Sequence, residues 1–255
     1  MTPYTDHHTP DGVRVRGTVI VVPGRGETPA VYGRLGRRLA ADAYRVRVLD
    51  TSGIADGTAP ESLTALAARI SGTVRDTATA DGVARPLVLL GADTGAAAVA
   101  ALLDPGRGHD TGGPDAVILA GLPAPGTAAG GTWEEELDAR TACPVHRGTL
   151  TDDPAVRRGA LTGPAPDALL TAAHASRPAV PALFLTGDAD PLADPSALAR
   201  TVKALPLARL STVRGARHDV LNDQQHRSVA AEIVTFLETV RAHLVPVIGV
   251  ESSAW

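Results

Sequence analysis

The stretch "LVLLGADTGAAAVAALL", residues 87–103, changes its pattern in the middle, and this change decides the fold. Strand-forming residues run up to Gly91, and an alanine-rich pattern typical of a helix follows Gly95. A strand that passes through a tight glycine turn into a helix is the repeating unit of α/β proteins. Asp93 lies at the centre of the turn, where the helix N-terminus favours an anionic side chain.

The same alternation of apolar runs and helical patterns continues on both sides of this turn. Buried strands are predicted at 17–24, 44–50, 85–91, 115–121, 180–187 and 208–215. Helices are predicted at 29–43, 61–76, 96–103, near 195–205 and at 224–243. Strands that alternate with helices predict an α/β fold with a doubly wound, mostly parallel sheet and right-handed crossovers.

One segment, residues 123–178, breaks the alternation. It is rich in Gly, Ala and Pro and contains no strand-like run, so we predict that it forms a small helical lid insertion. The predicted organisation is a polar N-terminal leader (1–15), a core formed by 16–122 and 179–243, the lid, and a C-terminal tail (244–255).

Composition narrows the function classes. A net charge of −4 argues against nucleic-acid binding, and the single cysteine, Cys143, excludes an intrachain disulfide and CxxC metal sites. The leader lacks a secretory pattern, and its His7 and His8 are predicted to lie in a disordered tail. No apolar run approaches the ~20 residues that cross a bilayer. We expect a cytoplasmic protein that acts on a small molecule, without cofactor, metal, nucleic acid or membrane, and of unknown oligomeric state.

Three polar stretches follow predicted strands at the carboxyl edge of the sheet, where open α/β sheets form their sites. They contain Asp93, Asp190 in "LTGDADPLAD" and His218 in "RGARHDVLND". Each has a plain structural explanation when taken alone: a helix cap, a turn, and a surface or capping histidine. Together, a nucleophile, an acid and a histidine in this chain order, after three different strands, predict a catalytic triad.

These motifs resemble those of the α/β-hydrolase superfamily over residues 16–243. "PGRGETPAVYGRLGRRLA" (23–40) is similar to the oxyanion loop and following helix of the monoglyceride-lipase and serine-aminopeptidase-like branch, with Pro in place of its usual first His. "GARHDVLND" (215–223) is similar to the stretch around that branch's catalytic histidine. The resemblance implies the α/β-hydrolase fold, and it favours Asp190 over Asp188 as the acid.

The turn itself departs from that branch. "GADTGA" (91–96) is similar instead to the Gly-x-Asp-x-Gly elbows of epoxide hydrolases and of haloacid or haloalkane dehalogenases. A carboxylate suits displacement at an electrophilic sp³ carbon, so we predict hydrolysis of an epoxide or C–halogen bond through an alkyl-enzyme ester on Asp93. His218 would then activate water, and Asp190 would orient the imidazole.

This chemistry also needs groups that stabilise the oxyanion and the leaving group. Backbone N–H groups of Arg25 and Thr94 are predicted to form the oxyanion hole. Epoxide hydrolases of this frame donate to the leaving oxygen from lid tyrosines, but no tyrosine of this chain lies in 123–178. Candidates for substrate binding and leaving-group stabilisation are Trp133, His146, His174 and Arg147, and the guanidinium of Arg25.

Two other functions stay open at this point. Asp93 and His218 could act as acid and base without a covalent intermediate, in a lyase, a cyclase or an enzyme that cleaves C–C or ester bonds, such as one that tailors a natural product. Alternatively, the chain could be a non-catalytic pseudo-hydrolase that binds a small molecule. The presence of both Asp190 and His218 in register argues against this last function.

Overall fold

The computed structural model describes residues 4–52 and 60–248. The strands are β1 (Tyr4–His7), β2 (Gly17–Val22), β3 (Tyr44–Leu49), β4 (Leu87–Ala92), β5 (Ala116–Ala120), β6 (Ala182–Gly187) and β7 (Ala208–Val213). The helices are α1 (Gly33–Ala41), α2 (Pro60–Arg75), α3 (Thr94–Leu102), α4 (Trp133–Arg140), α5 (Pro144–Asp152), α6 (Asp167–Ala175), α7 (Pro195–Lys203) and α8 (His226–Arg241). Every predicted strand and helix is present, with ends that shift by a few residues.

The seven strands form one sheet in the order β1-β3-β2-β4-β5-β6-β7. All neighbouring pairs are parallel except β1 with β3. The prediction of a doubly wound, mostly parallel sheet is therefore confirmed. Parallel strands end at the same edge, so the loops that follow β2, β4, β6 and β7 meet above that edge.

Helices cover both faces of the sheet, because successive side chains of a strand point to opposite faces. Within β2, Ile20 belongs to the same buried cluster as residues of α2, α3, α6 and α7, whereas Val19 and Val21 belong to the cluster that includes residues of α1 and α8. Every residue of β2 is buried, as expected for a parallel strand that is covered on both sides.

The polar leader contributes the edge strand β1, so the expectation that His7 lies in a disordered tail is wrong. Residues 4–7 pair antiparallel with β3, from Tyr4 opposite Leu49 to His7 opposite Val46. The carboxylate of Asp6 accepts hydrogen bonds from Arg45 and Arg47. A strand without an apolar pattern is thus held by charge pairs that only the neighbouring strand supplies.

The inserted segment 123–178 contains α4, α5 and α6, but these helices do not share one layer. Leu169 and Leu170 of α6 are buried in the same cluster as α3, and the Ser176 hydroxyl donates to the carbonyl of Ala100 at 2.6 Å. Helix α6 therefore belongs to the layer beside the sheet. Helices α4 and α5 do not belong to that cluster, and a lid formed by the inserted segment stays a prediction.

The predicted C-terminal tail (244–255) follows α8 directly. Its residues 244–248 include the exposed apolar side chains of Val247 and Ile248, and residues 249–255 lie outside the described residues. In the described part of the chain, every helix is too short or too polar to cross a bilayer.

Candidate active site

The turn between β4 and α3 holds Asp93 in a strained conformation. Its φ of 49° and ψ of −123° are unusual for a residue with a side chain, and such backbone strain costs roughly 1–3 kcal/mol. The two flanking positions must be glycine, because backbone atoms lie too close to them to leave room for a side chain. A Cβ atom on Gly95 would lie 2.4 Å from the carbonyl oxygen of Val22, and one on Gly91 would lie 2.5 Å from that of Gly95. The turn therefore lifts the Asp93 side chain above the carboxyl edge of the sheet.

The structure brings the three predicted triad residues together. His218 Nε2 lies 3.2 Å from Asp93 Oδ1, and His218 Nδ1 lies 3.0 Å from Asp190 Oδ2. Asp190 Oδ1 accepts from the backbone N–H of Leu192 at 2.8 Å, which fixes the carboxylate. Asp188 is exposed and accepts from the backbone of the β7–α8 loop. All three triad side chains are buried, and Asp190 rather than Asp188 faces the imidazole.

Arg25, in the loop after β2, is the fourth member of the site. Its Nε donates to Asp93 Oδ2 at 2.8 Å and its Nη2 donates to Asp93 Oδ1 at 2.9 Å, which makes a bidentate pair. Its backbone N–H also donates to Asp93 Oδ2 at 2.8 Å. Its Nη1 donates to the carbonyl of Gly163 in the inserted segment. The Arg25 side chain is only 6% exposed, so it connects the inserted segment to the Asp93 turn from inside the protein.

These contacts saturate the Asp93 carboxylate. A carboxylate offers about four lone-pair positions. Oδ2 receives two donors from Arg25, with the Thr94 hydroxyl at 3.3 Å as a third, while Oδ1 receives Arg25 Nη2 and faces His218 Nε2. Attack on a substrate by either oxygen therefore requires that one of these partners first be lost.

The charges of the site set its protonation state. Burial would raise the pKa of Asp93, but the His218 hydrogen bond and the charge of Arg25 hold it well below its usual range. Burial would lower the pKa of His218, but the charge of Asp190 and hydrogen bonds to both carboxylates raise it to about 10. At neutral pH the protonated imidazole of His218 therefore faces the ionised carboxylate of Asp93.

A second buried charge cluster lies behind the loop that follows β2 and is centred on Arg140 of α4. Arg140 Nη2 donates to the carbonyl of Arg25 at 2.7 Å and to Glu136 at 2.9 Å. Its Nη1 lies 3.5 Å from Asp219 and 3.9 Å from Glu27. Arg140 thus fixes the backbone of Arg25, which in turn aims its N–H at Asp93.

The same cluster contains the described group of side chains best arranged to hold a cation. Ligand atoms of Glu27, His146 and Asp219 lie within 4.8 Å of one another. The guanidinium of Arg140 already supplies the positive charge there. Burial and the charge of Asp219 raise the pKa of Glu27, while Arg140 opposes the shift.

A cavity of about 540 Å³ opens beside the site. Arg25, Thr94 and Gly95 line it, and its apolar walls come from Leu63, Leu66, Ala98 and Leu169. Among the described residues, neither Asp93 nor His218 lines this cavity. The Arg25 guanidinium therefore stands between the cavity and the carboxylate that it binds.

The predicted substrate-binding residues of the insertion lie elsewhere. His146 is buried, and its Nε2 lies 2.8 Å from Asp219 Oδ2. The guanidinium of Arg158 lies over the ring of Trp133. Arg147 of α5 forms ion pairs with two acidic side chains of α4, Glu134 and Asp138. His174 Nε2 lies 3.4 Å from the carbonyl oxygen of Pro123. These four residues are not among those that line the large cavity, and their substrate contact stays a prediction.

Sequence reasoning missed the Arg140 cluster and the position of the Arg25 side chain. The signals were present but ambiguous: "EELDAR" places Glu136 and Arg140 four residues apart on a helix, and Asp219 follows His218 directly. A helical Glu–Arg pair at this spacing is usually a solvated surface pair. Only the fold buries this pair against the loop that follows β2.

A family model described as "Alpha/beta hydrolase family" matches residues 19–232. Among curated proteins, none matches the chain significantly.

Many solved structures share the fold at low sequence identity. A soluble variant of monoglyceride lipase from Saccharomyces cerevisiae is 16% identical, with a TM-score of 0.73 over 93% of this chain and 91% of that one. Monoacylglycerol lipase from Paleococcus ferrophilus is 18% identical, with a TM-score of 0.69 over 93% and 98%. An esterase from Thermogutta terrifontis is 20% identical, with a TM-score of 0.60 over 93% of both chains. Similarity at this level shows the fold alone.

Proposed function

The chain belongs to the alpha/beta hydrolase family, and from that premise we propose that it is an enzyme that hydrolyses a small organic electrophile through an ester on Asp93. One observation carries the proposal: a strained turn presents a buried carboxylate 3.2 Å from an imidazole that a second carboxylate orients. Strain in a turn and buried charge both reduce stability, and such features concentrate at functional sites.

The charge state of His218 favours an epoxide as the electrophile. Attack of an Asp93 oxygen on the epoxide carbon forms a C–O ester bond and breaks the ring C–O bond, which leaves an alkoxide. Because the pKa of His218 is raised to about 10, its Nε2 carries a proton that the alkoxide can take. This proton transfer replaces the lid tyrosines that the chain lacks. The step leaves a neutral His218 and a neutral ester.

The second step then has the base that it needs. Neutral His218 takes a proton from water, and the hydroxide attacks Cγ of the Asp93 ester. A cavity of about 10 Å³ lies between Asp93, His218 and Asn222, which is about the space of one water molecule. The buried Oδ1 of Asn222 has no hydrogen-bond partner in the described part of the chain, so it offers this water an acceptor. Collapse of the intermediate releases the diol and returns Asp93 and His218 to their charged forms.

Two backbone groups are placed to stabilise the anionic intermediate of that step. The N–H of Arg25 already points at Asp93 Oδ2 from 2.8 Å. Thr94 is the first residue of α3, and the first N–H groups of a helix have no acceptor within it. We assign the oxyanion hole to these two N–H groups.

A second candidate function is favoured by the bidentate pair between Arg25 and Asp93. The pair occupies both carboxylate oxygens and completes a network without any substrate. A protein that only binds a small molecule in the adjacent cavity would keep such a network closed permanently. This alternative predicts ligand binding without turnover and without any covalent adduct.

Mass spectrometry of a trapped intermediate separates these functions. The His218→Gln variant is incubated with styrene oxide and with (2-bromoethyl)benzene, and its intact mass is measured. We expect an adduct on the peptide that contains Asp93, formed faster from the bromide, because a halide leaves without a proton. The exposed His243 provides the matched control variant, His243→Gln, which should form no lasting adduct and should turn over like the wild type.

The outcomes are distinct for each function. Turnover by the wild type with no adduct in His218→Gln favours acid–base chemistry without a covalent intermediate. Neither turnover nor adduct from any epoxide or alkyl halide favours the binding protein. Full activity in Asp93→Ala would contradict every mechanism that uses Asp93.

A further inference from the structure

We propose that Arg25 binds a carboxylate group of the substrate, and that this carboxylate displaces Asp93 from the Arg25 guanidinium. The inference rests on the proposed role of Asp93 as nucleophile and names the class of its substrate. It predicts that the enzyme acts on electrophiles that also carry a carboxylate.

Arg25 lies between the proposed nucleophile and the cavity. Its guanidinium pairs with Asp93 on one side, and Arg25 lines the 540 Å³ cavity on the other. A molecule that enters the cavity therefore meets Arg25 before it can reach Asp93. A neutral electrophile offers Arg25 no charge in exchange for Asp93, so it should react with Asp93 more slowly than an electrophile that carries a carboxylate.

Arg25 retains capacity to bind an incoming anion. A guanidinium has five N–H donors. Within the described part of the chain, Asp93 takes one each from Nε and Nη2, and Gly163 takes one from Nη1. Two donors, one on each Nη, therefore remain for a first contact with the ligand. The planar arrangement of these donors matches the geometry of a carboxylate.

The rest of the cavity suits a carboxylate with an apolar body. The N-terminus of α3, with Thr94 and Gly95, lines the cavity together with Arg25, and a helix N-terminus favours an anion. Leucine and alanine side chains also contribute to the walls. Asp50 also lines the cavity and accepts a hydrogen bond from the backbone N–H of Ser52.

Exchange of partners on Arg25 would activate Asp93. When the substrate carboxylate takes over the Nε and Nη2 donors, Asp93 loses two of its four strong contacts but keeps the Arg25 N–H and His218. An oxygen lone pair is then free to attack. Charge balance is kept, since the anion that Arg25 loses is replaced by the anion that it gains.

Binding of unreactive carboxylates tests the site without any turnover. The probes are butyrate, hexanoate and octanoate, each with its neutral amide of the same length, and affinity is measured by calorimetry. The key variant is Asp93→Asn, which removes the internal competitor for Arg25. We expect this variant to bind the carboxylates at least tenfold more tightly than the wild type, and the amides equally.

The double variant Asp93→Asn with Arg25→Gln should lose that gain, and Arg200→Gln, which removes an exposed arginine on α7, should leave affinity unchanged. Thermal unfolding of each variant confirms that it is folded. Equal affinity of wild type and Asp93→Asn for the carboxylates, or no binding of any carboxylate by either protein, would overturn the proposal. So would retention of the gain in the double variant.

A reactive pair then separates this inference from the proposed function. His218→Gln is incubated with 4-(2-bromoethyl)benzoate and with 4-(2-bromoethyl)benzamide, which differ in the carboxylate and need no proton donor for the halide to leave. An adduct that forms at least tenfold faster from the benzoate supports both proposals. Equal rates contradict the role of Arg25 but leave the function of Asp93 intact. No adduct from either, with carboxylate binding as expected, contradicts the covalent function alone.

Discussion

The substitution Asp93→Asn should flatten the pH dependence of the free energy of unfolding. Folding raises the pKa of His218 from the ordinary 6.5 to about 10. Between these values the folded protein binds one more proton than the unfolded chain does, so His218 stabilises the fold fully below pH 6.5. This contribution falls by about 1.4 kcal/mol per pH unit as the pH rises, and by about 5 kcal/mol over the window.

The magnitude of the change follows from the distance between His218 Nε2 and Asp93 Oδ1. At 3.2 Å and an effective dielectric constant of 20, this attraction is about 5 kcal/mol. The substitution removes it and also leaves the charge of Arg25 without its partner near the imidazole. We therefore expect the pKa of His218 to fall by at least about two units, even with Asp190 in place.

The assay is urea unfolding of both proteins at intervals between pH 6.5 and 9.5, with nitrogen NMR titration of the His218 ring. The slope of stability against pH should decrease by about 1 kcal/mol per pH unit in the variant. Asp188→Asn, an exposed carboxylate two residues before the acid, provides the matched control and should leave the slope unchanged. Equal slopes in wild type and Asp93→Asn, with a His218 pKa that stays near 10, would refute the ion pair.

Three further predictions concern stability and the charge of the imidazole. Arg140→Met should lower the free energy of unfolding by roughly 3–5 kcal/mol, because it leaves buried carboxylates without their cation; urea unfolding measures the loss, and no loss would contradict the buried network. Gly121→Ala should cost more stability than Gly126→Ala, since both have positive φ but only at 121 would a Cβ lie 2.6 Å from the carbonyl of His218; equal melting temperatures would count against this. Asp190→Asn should lower the pKa of His218, because the charge of Asp190 is the largest effect that raises it. NMR titration of the His218 ring measures this pKa, and an unchanged value would contradict the prediction.

Much of the fold could be read from the chain because each signal was local. The apolar β-branched run of β2 and the turn around Asp93 show their structure within a few residues. The order of Asp93, Asp190 and His218 after successive strands also follows from the sequence, since parallel strands place their carboxyl ends at one edge. The family match over 19–232 agrees with the predicted fold. The polar strand β1 was not predicted, because its side chains attach to the sheet through ion pairs with arginines of β3, which a local pattern does not show.

By itself, the sequence determined the order of the strands and helices and the residues that could form a triad, since these depend on local pattern and on chain order. Tertiary structure alone decided the state of the site. Arg25 and Asp93 are 68 residues apart, and Arg140 lies 115 residues from the carbonyl that it holds. A charged side chain far along the chain has many possible partners, and burial selects one of them, because an unpaired charge inside a protein is too costly to persist.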